Sequence, residues 1–384
     1  MLTDCYLPRL GGIEVQVHDL SRHLVERGHE VEVFTATPGP QGQRWGAQDV
    51  VDGIRVHRLA IPLPGGLPVN PLAPFTLRKA LREFDVAHIH MGVVSPFAVD
   101  AALVVDRLAM PSVMTWHCVL DRAEPVVDRL GVVRRWAAKG MVMNAVSAMA
   151  AEPVRRIVRP GGAADPAAAA AAAEVAVLPN GIDTAAWRCP PRPLLDDSQA
   201  RFVSAMRLAP RKRPLPLLEI MARVRAAAPK VDVRLEIFGD GPQRDDVEKA
   251  IARLGAHQWV TLAGRVSRED LLARYAVSHV YVSPAELESF GIAALEARTV
   301  GLPVVARMGT GIAEFVTDDV NGYLAESDDE MVRRLTTLAV HQSVRSRMAA
   351  YNRATPPTQD WVTVTSLAEH EYARAIERRR SSTP

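Results

Sequence analysis

Shortages set the first limits on this chain of 384 residues. Cysteine is scarce: Cys5, Cys118 and Cys189 are an odd number with no Cys-x-x-Cys pair, which suggests neither a disulfide framework nor a thiolate metal site. Long apolar runs are missing, since no stretch approaches the ~18–20 residues that a bilayer span needs, and the N-terminus has no signal-peptide layout. A cytoplasmic protein is expected. There is no charge excess either: a net charge of +2 with 48% hydrophobic residues describes a soluble globular protein and gives no argument for a nucleic-acid partner. The length suits two domains, each with its own core.

Lysine is nearly absent as well. Only Lys79, Lys139, Lys212, Lys230 and Lys249 stand among the 46 Lys plus Arg, so each is conspicuous where arginine is the default cation. Lys212 lies in Pro210-Arg211-Lys212-Arg213, directly after a strand-like segment. A compact ammonium there suits a diphosphate as a point charge, and a solvated basic turn is the alternative.

Periodicity and turn residues read as two successive series of βα units. A turn-rich loop at 4–12 leads into an amphipathic helix at 14–27, with Val17, Leu20 and Leu24 on one face and Gly28 as its stop. A strand follows at 30–35. A buried parallel strand needs about five residues, so three residues before the loop predict a first strand cut short and a true start upstream. Strands are expected at 54–59, 86–90 and 112–115, with a Pro/Gly-rich loop at 62–74 and helical spacing at 75–84. His117 falls at the carboxyl edge of a strand, where open parallel sheets build sites, whereas His88 lies inside one. A core or rim imidazole is the alternative. Residues 122–143 read as one long amphipathic packing helix whose arginines leave peripheral membrane contact open. A strand at 144–147, a helix at 154–158, a low-complexity loop at 161–173 and a strand at 174–178 follow, and proline-rich 189–193 marks the boundary.

The second series has strands at 202–205, 233–238, 259–262, 280–283 and 303–306, with helices at 215–228, 244–254 and 268–276. The tail at 360–379 reads as a helix anchored by Trp361, Leu367 and Tyr372. Residues 283–305 form the most informative stretch. Glu288 sits in a loop that enters a short helix through Ser289, Phe290 and Gly291, and Gly301 and Pro303 stop that helix. Such a helix start presents free N–H groups and a positive dipole end to a phosphate or a sugar hydroxyl. Glu296 lies eight residues on, roughly 80° round the helix, so one segment offers two carboxylates at different depths. Ordinary dipole chemistry is the alternative for Glu288. The fold expected is α/β, two Rossmann-like domains facing each other across a cleft: residues 1–187, 188–355, and a helix in 356–384 packing back towards the first domain.

With these residues in place, the chain resembles the retaining glycosyltransferases of family 4, of GT-B fold, over nearly its full length. Four patterns agree in order. Gly11-Gly12-Ile13-Glu14 with Arg27-Gly28-His29 is similar to the family's glycine loop and first helix, and Ala205-Met206-Arg207-Leu208 with Lys212 to its basic phosphate clamp. Phe238-Gly239-Asp240-Gly241-Pro242 is similar to its internal strand end, and Glu288 to Glu296 to its E-x7-E motif. Gly309-Thr310-Gly311 departs from the usual Gly-Gly pair, with Gly311 and Glu314 keeping the spacing.

The resemblance implies an enzyme that moves a hexosyl unit from a nucleotide-diphospho-sugar to a hydroxyl acceptor, with no cofactor and no metal. Arg207 and Lys212 would neutralise the diphosphate, Glu288 would bind the sugar hydroxyls, and the amides of Phe290, Gly291 and Ile292 would approach sugar and phosphate. Glu296 would take the ribose, the backbone at Arg265 and Val266 the base, and His117 the transferred sugar, while Gly12 would let its loop close on the phosphates. In the family's favoured scheme the leaving phosphate accepts the acceptor's proton, so Glu288 orients and is not a covalent nucleophile. A nucleotide-sugar epimerase of similar fold and a non-catalytic sugar-nucleotide-binding protein are the alternatives. A redox enzyme is disfavoured, because neither glycine cluster completes the dinucleotide pattern.

Overall fold

The structure, a computed structural model, describes residues 1–9, 11–44, 46–61, 70–159, 174–189 and 198–381. The low-complexity stretch at 161–173, most of the loop expected at 62–74, and residues 190–193 of the proline-rich boundary lie outside them. The chain divides into two compact units, Met1–Gly181 with Gln359–Pro384, and Ile182–Thr358. The division thus falls at Gly181, a little before the expected 187, and the C-terminal helix counts with the first unit.

Unit 1 runs β1 (Leu2–Thr3), α1 (Gly12–Glu26), β2 (Glu32–Thr35), β3 (Ala47–Val51), β4 (Ile54–Arg58), α2 (Ala73–Ala80), β5 (Ala87–Met91), α3 (Pro96–Leu108) and β6 (Ser112–Trp116). It continues with α4 (Glu124–Leu130), α5 (Val132–Ala138), β7 (Val142–Ala145), α6 (Ala148–Val158) and β8 (Ala176–Val177). The strand order is β3-β4-β2-β1-β5-β6-β7-β8, with only the β3–β4 hairpin antiparallel. Two-residue β1 still pairs on both sides, Leu2 lying opposite Phe34 and Ile89. β5, β6 and β7 are buried at every position, as strands covered on both faces must be.

Residues 122–143 are not the single helix expected. Gly131, at φ 64°, stands in the left-handed region and separates α4 from α5. Val142 and Met143 then belong to β7, because their apolar side chains extend the buried sheet. The strand expected at 144–147 therefore begins two residues earlier. Hairpin strand β3 and the Ala/Val-rich helix α3 are additions to the elements expected from the sequence.

Unit 2 runs β9 (Gln199–Ala205), α7 (Pro214–Ala227), β10 (Asp232–Phe238), α8 (Arg244–Arg253), β11 (Val260–Gly264), α9 (Arg268–Ala276), β12 (Val280–Ser283) and α10 (Ile292–Val300). β13 (Val304–Arg307), β14 (Gly322–Ala325), α11 (Asp328–Val340) and α12 (Gln342–Ala354) complete it. All strands are parallel in the order β11-β10-β9-β12-β13-β14. The chain starts at central β9, proceeds outward through β10 to β11, and returns to β12 on the other side of β9. Loops leaving the carboxyl ends of β9 and β12 therefore diverge and open a crevice.

The C-terminal helix α13 (Trp361–Ser381) packs on α1, β6 and β7. Trp361, Val364, Ala368, Tyr372 and Ala375 are buried there, a stripe of three- and four-residue steps. Leu367 falls off that stripe and is 38% exposed, so it is not an anchor.

Candidate active site

The reversal point of the unit 2 sheet gathers the basic turn and the two-glutamate stretch. Arg207 and Lys212 lie beyond β9, Glu288 beyond β12, and the Lys212 ammonium hydrogen-bonds the Glu288 carboxylate. Both side chains are largely enclosed, at 18% and 13% exposure. Arg207 is exposed and makes no side-chain hydrogen bond or ion pair with another described residue. Arg211 is exposed. Arg213 is used otherwise: its guanidinium grips Asp328 at 2.8 and 2.7 Å and bonds the Pro284 carbonyl at 3.1 Å. That hydrogen-bonded pair raises the Arg213 pKa and lowers that of Asp328. Of the basic cluster, Arg213 thus fastens the turn and Lys212 points at the acid.

The backbone near Arg207 is stapled to the next strand end. Met206 N–H bonds the Phe238 carbonyl at 2.9 Å, and Leu208 N–H bonds the Asp240 carbonyl at 3.0 Å. A Cβ at Gly239 would run into the Met206 carbonyl oxygen, so glycine there permits the approach. Arg265 and Val266 follow β11, two strands from β9. Arg265 is 75% exposed and 3.8 Å from Asp240, and Val266 is 37% exposed.

Glu288 does not cap α10. Gly291 occupies the cap position at φ 91°, with no side-chain cap on the helix, so its first amides face the crevice without a competing side chain. Gly311 N–H bonds the Glu288 carbonyl at 2.7 Å, and buried Phe290 packs against Phe315, which fixes the entrance where Ile292 begins the helix. Glu296, 7% exposed, lies within α10. Buried Tyr281 connects these parts: its hydroxyl donates to the Ala205 carbonyl at 3.1 Å. Burial foremost, then the charge of Glu288, raises its phenol pKa, and Glu296 adds to the rise. Tyr281 is hidden in the sequence because an aromatic strand residue looks like core; the Arg213–Asp328 pair is hidden because its partners lie 115 residues apart.

In unit 1, Gly12 is the exposed first residue of α1. His117 follows β6, and its backbone N–H is tied to the Met91 carbonyl at 2.9 Å. Its Nε2 is 3.0 Å from His90 Nδ1. Burial pushes the imidazole down to about 4, against the opposing effect of Asn180. His88 and His90 are held well below the usual histidine range by burial. His90 and Asn180 escape a reading of the sequence, His90 as part of an apolar strand and Asn180 as a turn residue.

Comparison with known proteins agrees with this architecture. The family model "Glycosyltransferase Family 4" matches residues 10–186, and "Glycosyl transferases group 1" matches residues 187–355. A D-inositol 3-phosphate glycosyltransferase of Xylanimonas cellulosilytica is 30% identical, over 96% of this chain and 93% of its own. The phosphatidylinositol N-acetylglucosaminyltransferase gpi3 subunit of Schizosaccharomyces pombe is 22% identical, over 97% of this chain and 79% of its own. Among solved structures, Anabaena HepE in complex with UDP superposes with a TM-score of 0.73 at 19% identity, over 95% of this chain and 97% of that one, a likeness of fold. The chain belongs to the family 4 glycosyltransferases, the glycosyl transferases group 1, with two Rossmann-like α/β domains.

Proposed function

We propose that the chain transfers a hexosyl unit from a UDP- or GDP-sugar to a hydroxyl acceptor with retention of anomeric configuration, and that it needs no metal. One observation carries the reading: Lys212 against Glu288 and the uncapped start of α10 lie where the unit 2 sheet reverses, and Arg207, which makes no side-chain hydrogen bond or ion pair with another described residue, sits on the loop that leaves β9. Arg207 and Lys212 neutralise the diphosphate as its negative charge grows in the transition state, the task a divalent cation performs elsewhere. Glu288 turns from Lys212 to the sugar hydroxyls, the amides of Phe290 to Ile292 approach sugar and phosphate, and Glu296 takes the ribose. The backbone at Arg265 and Val266 meets the base. His117 and Gly12 supply the contacts of unit 1.

The acceptor's hydroxyl attacks the anomeric carbon on the face from which the diphosphate leaves, and its proton passes to that phosphate. No enzyme nucleophile is required. The acceptor is a lipid, a small molecule or a glycan; the relatives named for inositol phosphate and phosphatidylinositol are compatible with a hydroxyl of that kind. No described helix is long and apolar enough to cross a membrane. A cytoplasmic site of action, with peripheral membrane contact through the arginines of residues 122–139, belongs to the same reading.

The test is a reaction in EDTA with each sugar nucleotide, followed by NMR of the product. A product with the donor's anomeric configuration, formed only when acceptor is present, supports the reading. An inverted product contradicts it, as does epimerised sugar formed from donor alone.

A further inference from the structure

His90 has no part in the chemistry above, yet it is the side chain that meets His117. β5 and β6 lie in parallel register with His90 opposite Thr115, so the ring beyond the end of β6 comes back over β5. The result is a contact of 3.0 Å between His90 Nδ1 and His117 Nε2. His90 is 2% exposed, and the His88 ring lies on it at a centroid distance of 4.0 Å. His88 is itself fully engaged, with Nδ1 at 2.9 Å from the Tyr372 hydroxyl and Nε2 at 2.6 Å from Thr115 Oγ1.

We propose that His90 is a positioning residue, donating its Nδ1–H to His117 Nε2 and fixing His117 as the neutral Nδ1–H tautomer. Two neutral imidazoles in contact share one proton, so one ring must donate and the other accept. Among the described residues His90 Nε2 has no hydrogen-bond partner. A buried N–H without an acceptor is costlier than an unfilled ring lone pair, which places the His90 proton on Nδ1. His117 Nε2 then accepts, and its own proton sits on Nδ1. His117, His90, Thr115, Asn180, Gln16 and Trp361 line one cavity, so the arrangement is held from several elements.

Nε2 of His117 is thereby committed as an acceptor. The ring offers a ligand its Nδ1–H as a donor, and its Nε2 takes up no proton. This rests on the proposed glycosyl transfer, and it leaves the donor's phosphate as the proton acceptor.

The experiment is long-range 1H–15N NMR of the histidine rings in the full chain at pH 7, with assignment by His117→Gln and His90→Asn. Expected is a His117 ring protonated on Nδ1 with Nε2 as acceptor. A His117 protonated on Nε2 overturns the proposal without any further variant. Asparagine places its amide N–H where the imidazole Nδ1–H stands, so His90→Asn should keep that spectrum, whereas His90→Leu should leave a tautomer mixture. In transfer assays His90→Leu should lower kcat about tenfold with KM within about twofold, and His90→Asn should restore most of it. Equal loss in both variants overturns the positioning role. Failure of the proposed reaction is told apart by the spectrum, which needs no turnover.

Discussion

Lys212 and Glu288 lie 76 residues apart in the chain and in contact in the fold. The resemblance to family 4 implies separate tasks for them, the diphosphate and the sugar, and local pattern cannot show that one crevice joins them. Their contact makes each a lever on the other, because removing one leaves a largely enclosed charge without its partner. Lys212→Ala should reduce turnover by roughly 10² to 10³, the scale of a lost transition-state contact; unchanged kcat would dismiss the clamp. Glu288→Gln keeps the shape and removes the charge. It should impair transfer about 10²-fold while nucleotide affinity stays within a fewfold, and calorimetry showing lost nucleotide binding with intact transfer would assign the residue elsewhere. His117 is legible as a strand-end residue. Its neighbour His90 is not, because an alternate position in a buried strand carries no mark of the ring that returns over it.

At the scale of elements, the parts that place the site are the most legible. Gly291 and Gly301 punctuate α10 where the sequence puts its start and stop, and β12 occupies Val280–Ser283 as read. Misreadings arise where apolar spacing fits two structures. The run through residues 132–143 has apolar residues at helical spacing, but Gly140, at φ 93°, stands between the end of α5 and β7, which begins at Val142. Gly239 is an element-scale residue, since it lets the loop of Arg207 lie against the end of β10. At φ 114°, Gly239→Ala adds strain of about 1–3 kcal/mol to the displaced Met206 carbonyl. Thermal unfolding should fall by several degrees and kcat should drop with it. Wild-type kinetics in a destabilised Gly239→Ala would separate the loop from catalysis.

At the scale of the molecule, two α/β units and the helix that joins the first are legible from alternating strands and helices. The exact division is not, because proline-rich residues 189–193 mark a boundary in the sequence whereas compactness is set by contacts from distant parts of the chain. The histidine cluster of unit 1 has a consequence for stability. The folded His117 sits at about 4, below its ordinary value of about 6.5, and His88 and His90 shift the same way. Depressed folded values mean that the unfolded chain binds protons first. The stabilisation is present above about 6.5 and is lost as pH falls towards 4. Asp4, raised to about 6 by burial, acts in the opposite sense: its stabilisation is present below its ordinary value and is lost as pH rises through 6. Three rings outweigh one carboxyl, so the unfolding temperature should fall between pH 6.5 and 4. His90→Asn, which cannot take up the proton, should flatten that slope, and an unchanged slope would locate the acid sensitivity outside the cluster.

The claim that Arg207 and Lys212 together hold a nucleotide diphosphate meets its most direct test in isothermal titration of UDP and GDP, with EDTA present, into the wild type, Arg207→Ala, Lys212→Ala and the double variant. Charge-assisted contacts of about 1.5–3 kcal/mol imply affinity about 10- to 100-fold weaker in each single variant and no measurable binding in the double one. A double variant that binds either diphosphate with wild-type affinity would contradict the clamp.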